Sequence, residues 1–235
     1  MIRRYCILCG DRSEGLFDLC RACHGDLPVV PSACPHCALP LPSELSCGRC
    51  LQNPPPYEAC IAPFHYRFPI DELLKAAKFR QNLHYASHLG RILAVELRCR
   101  GYERPDCLIP VPLHRWRLFR RGYNQALELA RDISQQLEIP IDWKICRRIR
   151  NTPPQAGLSA QERRRNLRAA FRVDGAIPYR HVAIVDDVIT TGQTVAELAQ
   201  ALHKAGVERV DVWAFARATP DLTYPNLPQT ARSVR

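Results

Sequence analysis

The most informative segment of the chain is residues 182–194, which have the sequence Val-Ala-Ile-Val-Asp-Asp-Val-Ile-Thr-Thr-Gly-Gln-Thr. Val182–Val185 is a run of four apolar residues, which is typical of a strand buried in a parallel sheet. Asp186 and Asp187 stand at the carboxyl end of this strand. Thr190–Thr194 then opens a helix whose apolar residues recur on one face. The pattern predicts a strand, a short turn and an amphipathic helix, as in an α/β fold.

The turn between this strand and this helix is suited to a phosphate. Its small residues let several backbone N–H groups point at one position, with the positive end of the helix dipole behind them. The two carboxylates repel a phosphate, but they accept hydrogen bonds from the hydroxyl groups of a sugar. The alternative is a solvated acidic pair followed by a Thr-capped helix. The order of strand, Asp-Asp, Thr-Thr-Gly-x-Thr and helix favours a sugar-phosphate site.

This segment resembles the ribose-phosphate signature of the type I phosphoribosyltransferases. In that family the acidic pair binds the ribose hydroxyls of phosphoribosyl pyrophosphate, and the loop that follows binds its 5′-phosphate. The resemblance implies that Asp186 and Asp187 contact ribose. It assigns the 5′-phosphate to Thr190, Thr191, Gly192, Gln193 and Thr194.

Four C-x-x-C pairs occupy the first fifty residues. They are Cys6/Cys9, Cys20/Cys23, Cys34/Cys37 and Cys47/Cys50. Two such pairs complete a tetrahedral zinc site, so we predict two structural zinc ions, with sequential and interleaved pairing both open. Disulfides are disfavoured in a reducing compartment, and the ribbon-like spacing favours zinc over an iron–sulfur cluster. A closed site of four cysteines leaves no position for substrate, so the zinc is expected to be structural.

The other cysteines and the nearby histidines are not assigned to metal. His24 and His36 are interpreted as bystanders, because the cysteines already supply enough ligands. The remaining cysteines are predicted to be buried apolar residues. These are Cys60, Cys99, Cys107 and Cys146.

The charge of the chain indicates phosphate-rich partners. The 235 residues carry a net charge of +10, concentrated in basic blocks at 114–121, 144–150 and 163–168. Basic side chains beside aromatic ones suit single-stranded nucleic acid, on whose bases Trp116 and Phe119 can stack. The alternative is a set of solvated faces and a loop that closes on a small pyrophosphate ligand. The candidate nucleic-acid contacts are Arg115, Trp116, Arg117 and Arg120.

The order of the elements predicts a parallel α/β sheet with helices on both faces, preceded by a small zinc-ribbon module. We predict strands over 61–67, 107–112, 143–149 and 210–215, and helices over 70–79, 85–100, 123–137 and from 194 onward. The proline-rich segment 51–56 is predicted to be an extended linker. The predicted domains are 1–53, a double zinc ribbon; 57–217, a phosphoribosyltransferase-like domain; and 218–235, a loose tail. The start of the chain lacks the apolar run of a secretory signal, and no segment is long enough for a membrane span, so we expect a cytoplasmic protein without membrane insertion.

A second strand-to-helix turn follows Pro112. In open parallel sheets ligands lie beyond the carboxyl ends of the strands, so this turn and the Asp186 turn are expected to face one crevice. Arg120 and Arg121 are candidates for binding a pyrophosphate, and Gly122 lets the backbone approach it closely. The basic segment 151–166 is a candidate lid that excludes water, and its alternative is an ordinary surface loop.

Taken together, the motifs from Cys6 to about Arg217 resemble those of the ComF family, whose members are phosphoribosyltransferase homologues with an N-terminal double zinc ribbon. The matching motifs include Pro-Val-Pro-Leu, Arg-Arg-Gly-Tyr-Asn-Gln and Val-Asp-Asp-Val-Ile-Thr-Thr-Gly. Within the candidate lid, the matching residues include Gln155, Arg163 and Asn166.

The ComF resemblance implies a cytoplasmic role in handling incoming single-stranded DNA, in natural transformation or in the use of DNA as a nutrient. It implies binding of phosphoribosyl pyrophosphate or a nucleotide, with Mg²⁺ on the pyrophosphate. It assigns neither an acceptor nor a catalytic residue, so whether the protein is an enzyme stays open. The competing functions are a non-catalytic adaptor for single-stranded DNA and a module that binds DNA-uptake or recombination proteins.

Overall fold

The computed structural model describes residues 5–13, 18–43, 45–77, 83–150 and 170–219. At its centre is a parallel sheet of five strands. The strands are β1 (Ala59–Ile61), β2 (Phe64–His65), β3 (Cys107–Pro110), β6 (His181–Ile189) and β7 (Arg209–Arg217). Strand β7 pairs with β1 and β2 on one side and with β6 on the other, and β6 pairs with β3.

The two longest strands form where the sequence predicts them. Val182–Val185 is fully buried in β6, and the predicted strand over 210–215 lies within β7. Strand β6 runs beyond the predicted end, so Asp186 and Asp187 lie inside it, and Asp186 is in register with Ala214 of β7. The ladder between β6 and β7 therefore fixes the backbone that carries the carboxylates.

Helices cover both faces of the sheet, which confirms the predicted fold class. On one face lie α3 (Ile70–Ala76), α4 (Leu83–Arg100) and α6 (Gln125–Leu137), which pack on Ala183, Val185, Trp213 and Phe215. On the other face lies α7 (Gln193–Lys204), whose buried residues pack on Val182, Ile184 and Val212. The alternation of side chains along each strand supplies one set of apolar residues to each face.

Several elements differ from the prediction. The single strand over 61–67 is wrong, because two short strands form there and Pro63, which has no N–H group to donate to a ladder, separates them. The helix predicted over 70–79 is observed as α3, and residues 78 and 79 lie outside the described ranges. The predicted helices over 85–100 and 123–137 are confirmed as α4 and α6.

The segment after α6 forms a small separate sheet. Of the strand predicted over 143–149, only Cys146–Arg148 is observed (β4), and it pairs antiparallel with Phe171–Val173 (β5). Strand β5 was not predicted, and neither was α5 (Arg115–Arg121), which buries none of its side chains and so carries no apolar periodicity. Cys60, Cys107 and Cys146 are buried as predicted, but Cys99 is exposed, because it lies on the outer face of α4.

The N-terminal ribbon is bonded to the sheet. It contains two short helices, α1 (Arg21–Gly25) and α2 (Gly48–Gln52), and the predicted linker over 51–56 is wrong at its start, because residues 51 and 52 belong to α2. The N–H groups of Cys60 and His65, in β1 and β2, donate to carbonyl oxygens of Pro35 and Pro28, both at 2.8 Å. The three-domain division stays a prediction, and the candidate lid and residues 220–235 lie outside the described ranges.

Within the described ranges, none of the helices combines the length and the hydropathy needed to cross a bilayer.

Candidate functional site: a carboxylate and guanidinium cavity beside two cysteine clusters

The eight ribbon cysteines gather into two clusters of four. Within each cluster the sulfur atoms all lie within 4.8 Å of one another. The first C-x-x-C pair combines with the second and the third with the fourth, so the pairs combine sequentially and are not interleaved. The first cluster is Cys6, Cys9, Cys20 and Cys23, and the second is Cys34, Cys37, Cys47 and Cys50.

The geometry of the clusters fits zinc. In a tetrahedron with Zn–S bonds of about 2.3 Å, neighbouring sulfur atoms are about 3.8 Å apart. The Sγ atoms of Cys9 and Cys20 are 3.7 Å apart, and those of Cys37 and Cys47 are also 3.7 Å apart. The cysteines therefore support structural zinc in both clusters, with every ligand position filled by sulfur.

Backbone N–H groups donate hydrogen bonds to one ligand sulfur in each cluster. The N–H groups of Cys23 and Cys47 donate to the Sγ atoms of Cys20 and Cys34, both at 3.4 Å. Burial opposes ionisation of Cys34, but the surrounding backbone N–H groups lower its pKa to about 7. The imidazole of His36 is not part of either cysteine cluster, and its Nδ1 donates to the carbonyl oxygen of Glu58 at 2.9 Å, which agrees with its interpretation as a bystander.

A second site lies at the carboxyl end of the sheet, as a cavity of about 200 Å³. It collects side chains from the β3–α5 turn, the starts of α6 and α7, and strands β4 and β6. The charged and polar residues that line it are Arg117, Arg121, Asn124, Gln125, Arg148, Asp186, Asp187 and Thr194. The two strand-to-helix turns that the sequence singles out therefore do face one crevice.

Two adjacent carboxylates form the acidic side of this cavity. The N–H group of Asp187 donates to Oδ1 of Asp186 at 2.9 Å, and the N–H group of Val188 donates to Oδ1 of Asp187 at 2.8 Å. Burial, together with the negative charge of Asp187, raises the pKa of Asp186 well above its usual range. The pair therefore holds more negative charge than its surroundings stabilise, and hydroxyl donors or a cation would relieve it.

Three guanidinium groups form the basic side. Burial, together with the charge of Arg121, lowers the pKa of Arg117, and burial together with the charge of Arg117 lowers that of Arg148. Arg121 is oriented by Gln125, whose Oε1 accepts a hydrogen bond from Nη1 at 2.8 Å. Mutual repulsion of this kind favours binding of an anion with several charges, such as a pyrophosphate.

The turn before α7 is built around a glycine. Gly192 caps the helix in the left-handed region, at φ 77°, which glycine adopts without strain. The N–H group of Gln193, the first residue of α7, is 3.4 Å from Oγ1 of Thr191, its acceptor. Thr190 and Thr191 are exposed, and Thr194 lines the cavity.

The start of α6 lies at the same cavity, and its residues Asn124 and Gln125 were not singled out as site residues from the sequence. Asn124 caps the helix, since its Oδ1 accepts a hydrogen bond from the N–H group of Ala126, and its Nδ2 donates to the carbonyl oxygen of Val111 at 3.0 Å. Gln125 is buried, and its Nε2 has no hydrogen-bond partner among the described residues. Two helix N-termini therefore lie at one cavity, which strengthens its preference for anions.

The three residues predicted to bind pyrophosphate do not all line this cavity. Arg121 lines the cavity, whereas Arg120 is exposed on the outer face of α5. Gly122 ends α5 in the left-handed region at φ 80°, and it lines a neighbouring cavity. Arg117, a candidate nucleic-acid contact, points instead into the carboxylate cavity. Arg148 was missed because a basic run does not show which of its residues faces inward, although strand alternation offered the signal.

The neighbouring cavity is larger, about 980 Å³, and its rim is basic and aromatic. It is lined by Arg115, Arg147, Arg172 and the exposed Trp143, among others. Beside it, Trp116 is 65% exposed and Phe119 is 81% exposed, with their ring centroids 6.4 Å apart at 83°. Two predicted nucleic-acid contacts, Arg115 and Trp116, thus lie together on one surface.

Comparison with known proteins identifies both parts of the chain. Residues 3–51 match the double zinc ribbon domain, and residues 124–225 match the phosphoribosyl transferase domain. DNA utilization protein YhgH of Escherichia coli O157:H7 is 41% identical over 208 residues, which cover 86% of this chain and 92% of that protein. Competence protein F of Haemophilus influenzae is 38% identical over 226 residues, covering 91% and 96%.

Among solved structures, the glutamine phosphoribosylpyrophosphate amidotransferase of B. subtilis, complexed with ADP and GMP, aligns with 54% of this chain and 25% of its own. The identity is 22% and the TM-score is 0.35, too low to carry an argument.

Proposed function

The chain belongs to the ComF family, and on that basis we propose that its C-terminal domain binds phosphoribosyl pyrophosphate, or a related nucleotide, as part of DNA uptake. The observation that carries this proposal is the cavity in which Asp186 and Asp187 face three guanidinium groups beside a Gly-containing helix start. The names of the relatives, a DNA utilization protein and a competence protein, support the biological setting. We place this activity in the cytoplasm, where internalised DNA arrives.

Each part of the ligand has a matching part of the cavity or of the turn that adjoins it, from which Thr194 reaches the cavity. The carboxylates of Asp186 and Asp187 accept hydrogen bonds from the ribose hydroxyls, which lie next to the 5′-phosphate. The N–H groups of residues 190–194 bind that phosphate at the start of α7. Arg117, Arg121 and Arg148 bind the pyrophosphate oxygens, on which an arginine can place two parallel hydrogen bonds. Of the predicted pair, Arg121 is thus proposed to bind the pyrophosphate, and Arg120 is not.

The donor set also fits Mg²⁺. This ion prefers carboxylate and phosphate oxygens together with water, and the raised pKa of Asp186 reflects negative charge that a cation would stabilise. Asp186 and Asp187 are the residues that would face an ion carried by the pyrophosphate. When bound, Mg²⁺ neutralises charge that builds up on the pyrophosphate as it leaves.

If the ligand is turned over, this chain supplies electrostatic stabilisation. Positive charge develops at C1′ of the ribose as the pyrophosphate departs, and the carboxylate pair lies on the ribose side of the cavity. The guanidinium groups stabilise the opposite charge on the leaving group. None of the described residues lining the cavity is assigned as a general base.

A second candidate function is a non-catalytic adaptor for single-stranded DNA, which the exposure of Trp116 and Phe119 favours. Large aromatic side chains that are mostly exposed beside arginines suit stacking on unpaired bases. The two functions are compatible, because the cavity beside Arg115 and the carboxylate cavity adjoin and share the lining residues Leu113, Asn124 and Arg148.

The test is isothermal titration calorimetry with phosphoribosyl pyrophosphate and Mg²⁺. We expect the wild type to bind and Asp186→Asn/Asp187→Asn to lose at least about tenfold in affinity, since hydrogen bonds to charged groups are worth about 1.5–3 kcal/mol each. Arg148→Gln should weaken binding of the pyrophosphate ligand more than binding of ribose 5-phosphate.

The matched control is Glu208→Gln, which removes a carboxylate at the opposite end of the sheet, where it pairs with the exposed Arg180. It should bind as the wild type does. Absence of binding by the wild type, or equal binding by the double variant, would refute the ribose-phosphate site and leave the adaptor as the better function.

A further inference from the structure

A buried arginine connects the second cysteine cluster with the phosphate turn. Arg217 is the last residue of β7 and is only 2% exposed. A buried charge is costly unless hydrogen bonds replace its hydration. The guanidinium donates to main-chain carbonyl oxygens, which are those of Cys37 (3.0 Å), Ile189 (2.9 Å), Thr190 and Ala218.

One of these carbonyl groups belongs to a zinc ligand. Cys37 closes the first C-x-x-C turn of the second cluster, and the next residue, Ala38, adopts the left-handed region at φ 53°. The N–H group of Ala38 donates to the carbonyl oxygen of Cys34 at 2.9 Å. The direction of the Cys37 carbonyl is therefore set by the same turn that presents its thiolate.

Two other carbonyl groups belong to the start of the phosphate turn, residues 189–194. A trans peptide is planar, so its C=O and N–H groups point in opposite directions. When the carbonyl groups of Ile189 and Thr190 point at Arg217, the N–H groups of Thr190 and Thr191 point away from it. The N–H group of Ala218 also donates to the carbonyl oxygen of Ile189, at 2.9 Å, so Arg217 and this backbone bond together fix the orientation of the donors in this turn.

Further contacts join the ribbon to the turn at the same place. Tyr57, directly after the ribbon, is buried, and its hydroxyl oxygen lies 3.5 Å from the position of a Cβ on Gly192. The first cluster is attached elsewhere. Asp18, two residues before its ligand Cys20, contacts Nε2 of His88 in α4 at 2.9 Å, on the opposite face of the sheet from α7.

We propose that Arg217 is a positioning residue through which the second cysteine cluster sets the affinity of the phosphate turn. Zinc bound by Cys34, Cys37, Cys47 and Cys50 fixes the Cys37 carbonyl, and Arg217 holds the carbonyl groups of Ile189 and Thr190 against it. The first cluster stabilises the ribbon but leaves the turn unaffected. The identity of the ligand rests on the proposed function, whereas the coupling is a property of the ligand-free protein.

The experiment is amide hydrogen exchange of residues 190–195 in the ligand-free full chain, with zinc content measured for each variant. Cys47→Ser disturbs the second cluster, and Cys23→Ser is its matched control in the first. We expect Cys47→Ser and Arg217→Met each to accelerate exchange in the turn about tenfold, as the loss of one charge-assisted hydrogen bond predicts. Cys23→Ser should leave these amides unchanged, and Arg217→Lys should give an intermediate rate.

A merely structural role of Arg217 would give a different pattern. If Arg217 transmits the effect of the cluster, combining Cys47→Ser with Arg217→Met adds nothing to either single variant at residues 190–195. Additive effects, equal effects of Cys47→Ser and Cys23→Ser, or acceleration spread evenly over α6 would overturn the proposal. If Arg217→Met does not fold, Arg217→Lys and the two cysteine variants give the same comparison.

Titration with phosphoribosyl pyrophosphate separates this proposal from the proposed function. If the wild type binds, Cys47→Ser should weaken binding about tenfold and Cys23→Ser should not, as the loss of one hydrogen bond to a charged group predicts. If the wild type does not bind but the exchange pattern holds, the coupling stands and the assignment of the ligand fails.

Discussion

The ionised carboxyl group of Asp186, which we propose binds the ligand, destabilises the ligand-free protein. The folded protein raises the pKa of this carboxyl through burial and the neighbouring charge of Asp187. In the unfolded chain the pKa of the same carboxyl is about 3.9. Between that value and the raised pKa, the folded protein binds a proton that the unfolded chain lacks, so the stability contributed at low pH is lost as pH rises.

Replacing this carboxyl should therefore stabilise the ligand-free protein. Asparagine keeps an oxygen that can accept the hydrogen bond from the N–H group of Asp187, but it carries no charge. We expect Asp186→Asn to raise Tm by about 2–4 °C at neutral pH, the shift that about 1 kcal/mol produces in a chain of this size. The difference should disappear as pH falls to about 4, measured by differential scanning calorimetry.

Asp106→Asn is a control of opposite sign. Hydrogen bonds from the N–H groups of His181 and Arg180 lower the pKa of the Asp106 carboxyl, so its charge stabilises the fold above its unfolded pKa. Its replacement should lower Tm at neutral pH. A fall in Tm for Asp186→Asn as well would show that its carboxylate is stabilised in the folded protein, contrary to our interpretation.

At the scale of elements, the close pairing of α4 and α6 depends on one glycine. A Cβ on Gly90 would lie 2.6 Å from Cβ of Asp132 and 2.9 Å from the carbonyl oxygen of Leu129. Both atoms belong to α6, and the second is backbone, so α6 would have to shift. We expect Gly90→Ala to cost about 1–3 kcal/mol and to lower Tm by roughly 5 °C in thermal denaturation.

Gly25→Ala is the matched control, because a Cβ at this exposed position in α1 meets nothing within 4 Å. It should change stability by less than about 0.5 kcal/mol. An unchanged Tm for Gly90→Ala would mean that the two helices can separate without cost.

The elements that the sequence predicted are those whose signal is local. Apolar runs such as Val182–Val185 and the C-x-x-C spacing identify the buried strand and the two clusters, because burial and metal binding each impose a pattern. Helix α5 has no such pattern, since its side chains stay outside the core. Arg217 could not be placed, because its role depends on contacts with residues far away in the sequence, up to 180 positions in its hydrogen bond to Cys37.

At the scale of the molecule, the cavity that holds the carboxylate pair and a larger cavity with a basic rim lie side by side at one end of the sheet. The net charge is +10, yet the carboxylate pair lies inside the cavity while Arg115, Arg147 and Arg172 line the larger neighbouring one. A chain of phosphates following the basic rim would therefore pass the entrance to the carboxylate cavity. Single-stranded DNA bound there should place a base near Trp116 and its backbone on the arginines.

This arrangement predicts a steep dependence on salt. For single strands, the logarithm of the binding constant should fall with the logarithm of salt concentration, with a slope of about −0.7 for each phosphate that is neutralised. In fluorescence anisotropy with a labelled oligothymidine, Arg115→Gln/Arg147→Gln should reduce this slope by about 1.4. Trp116→Ala should weaken binding by about 1–3 kcal/mol with the slope unchanged, since it removes stacking but no charge.

The variant Arg180→Gln distinguishes DNA binding along the basic rim from attraction by the net charge of the protein. Arg180 is exposed at the opposite end of the sheet and pairs with Glu208, so its loss changes total charge without touching the basic rim. A slope that falls equally in Arg180→Gln would mean that DNA is attracted by overall charge alone. A slope changed only by Arg115→Gln/Arg147→Gln, together with weaker binding by Trp116→Ala, would place the strand along the rim, next to the cavity in which we propose the ribose-phosphate site.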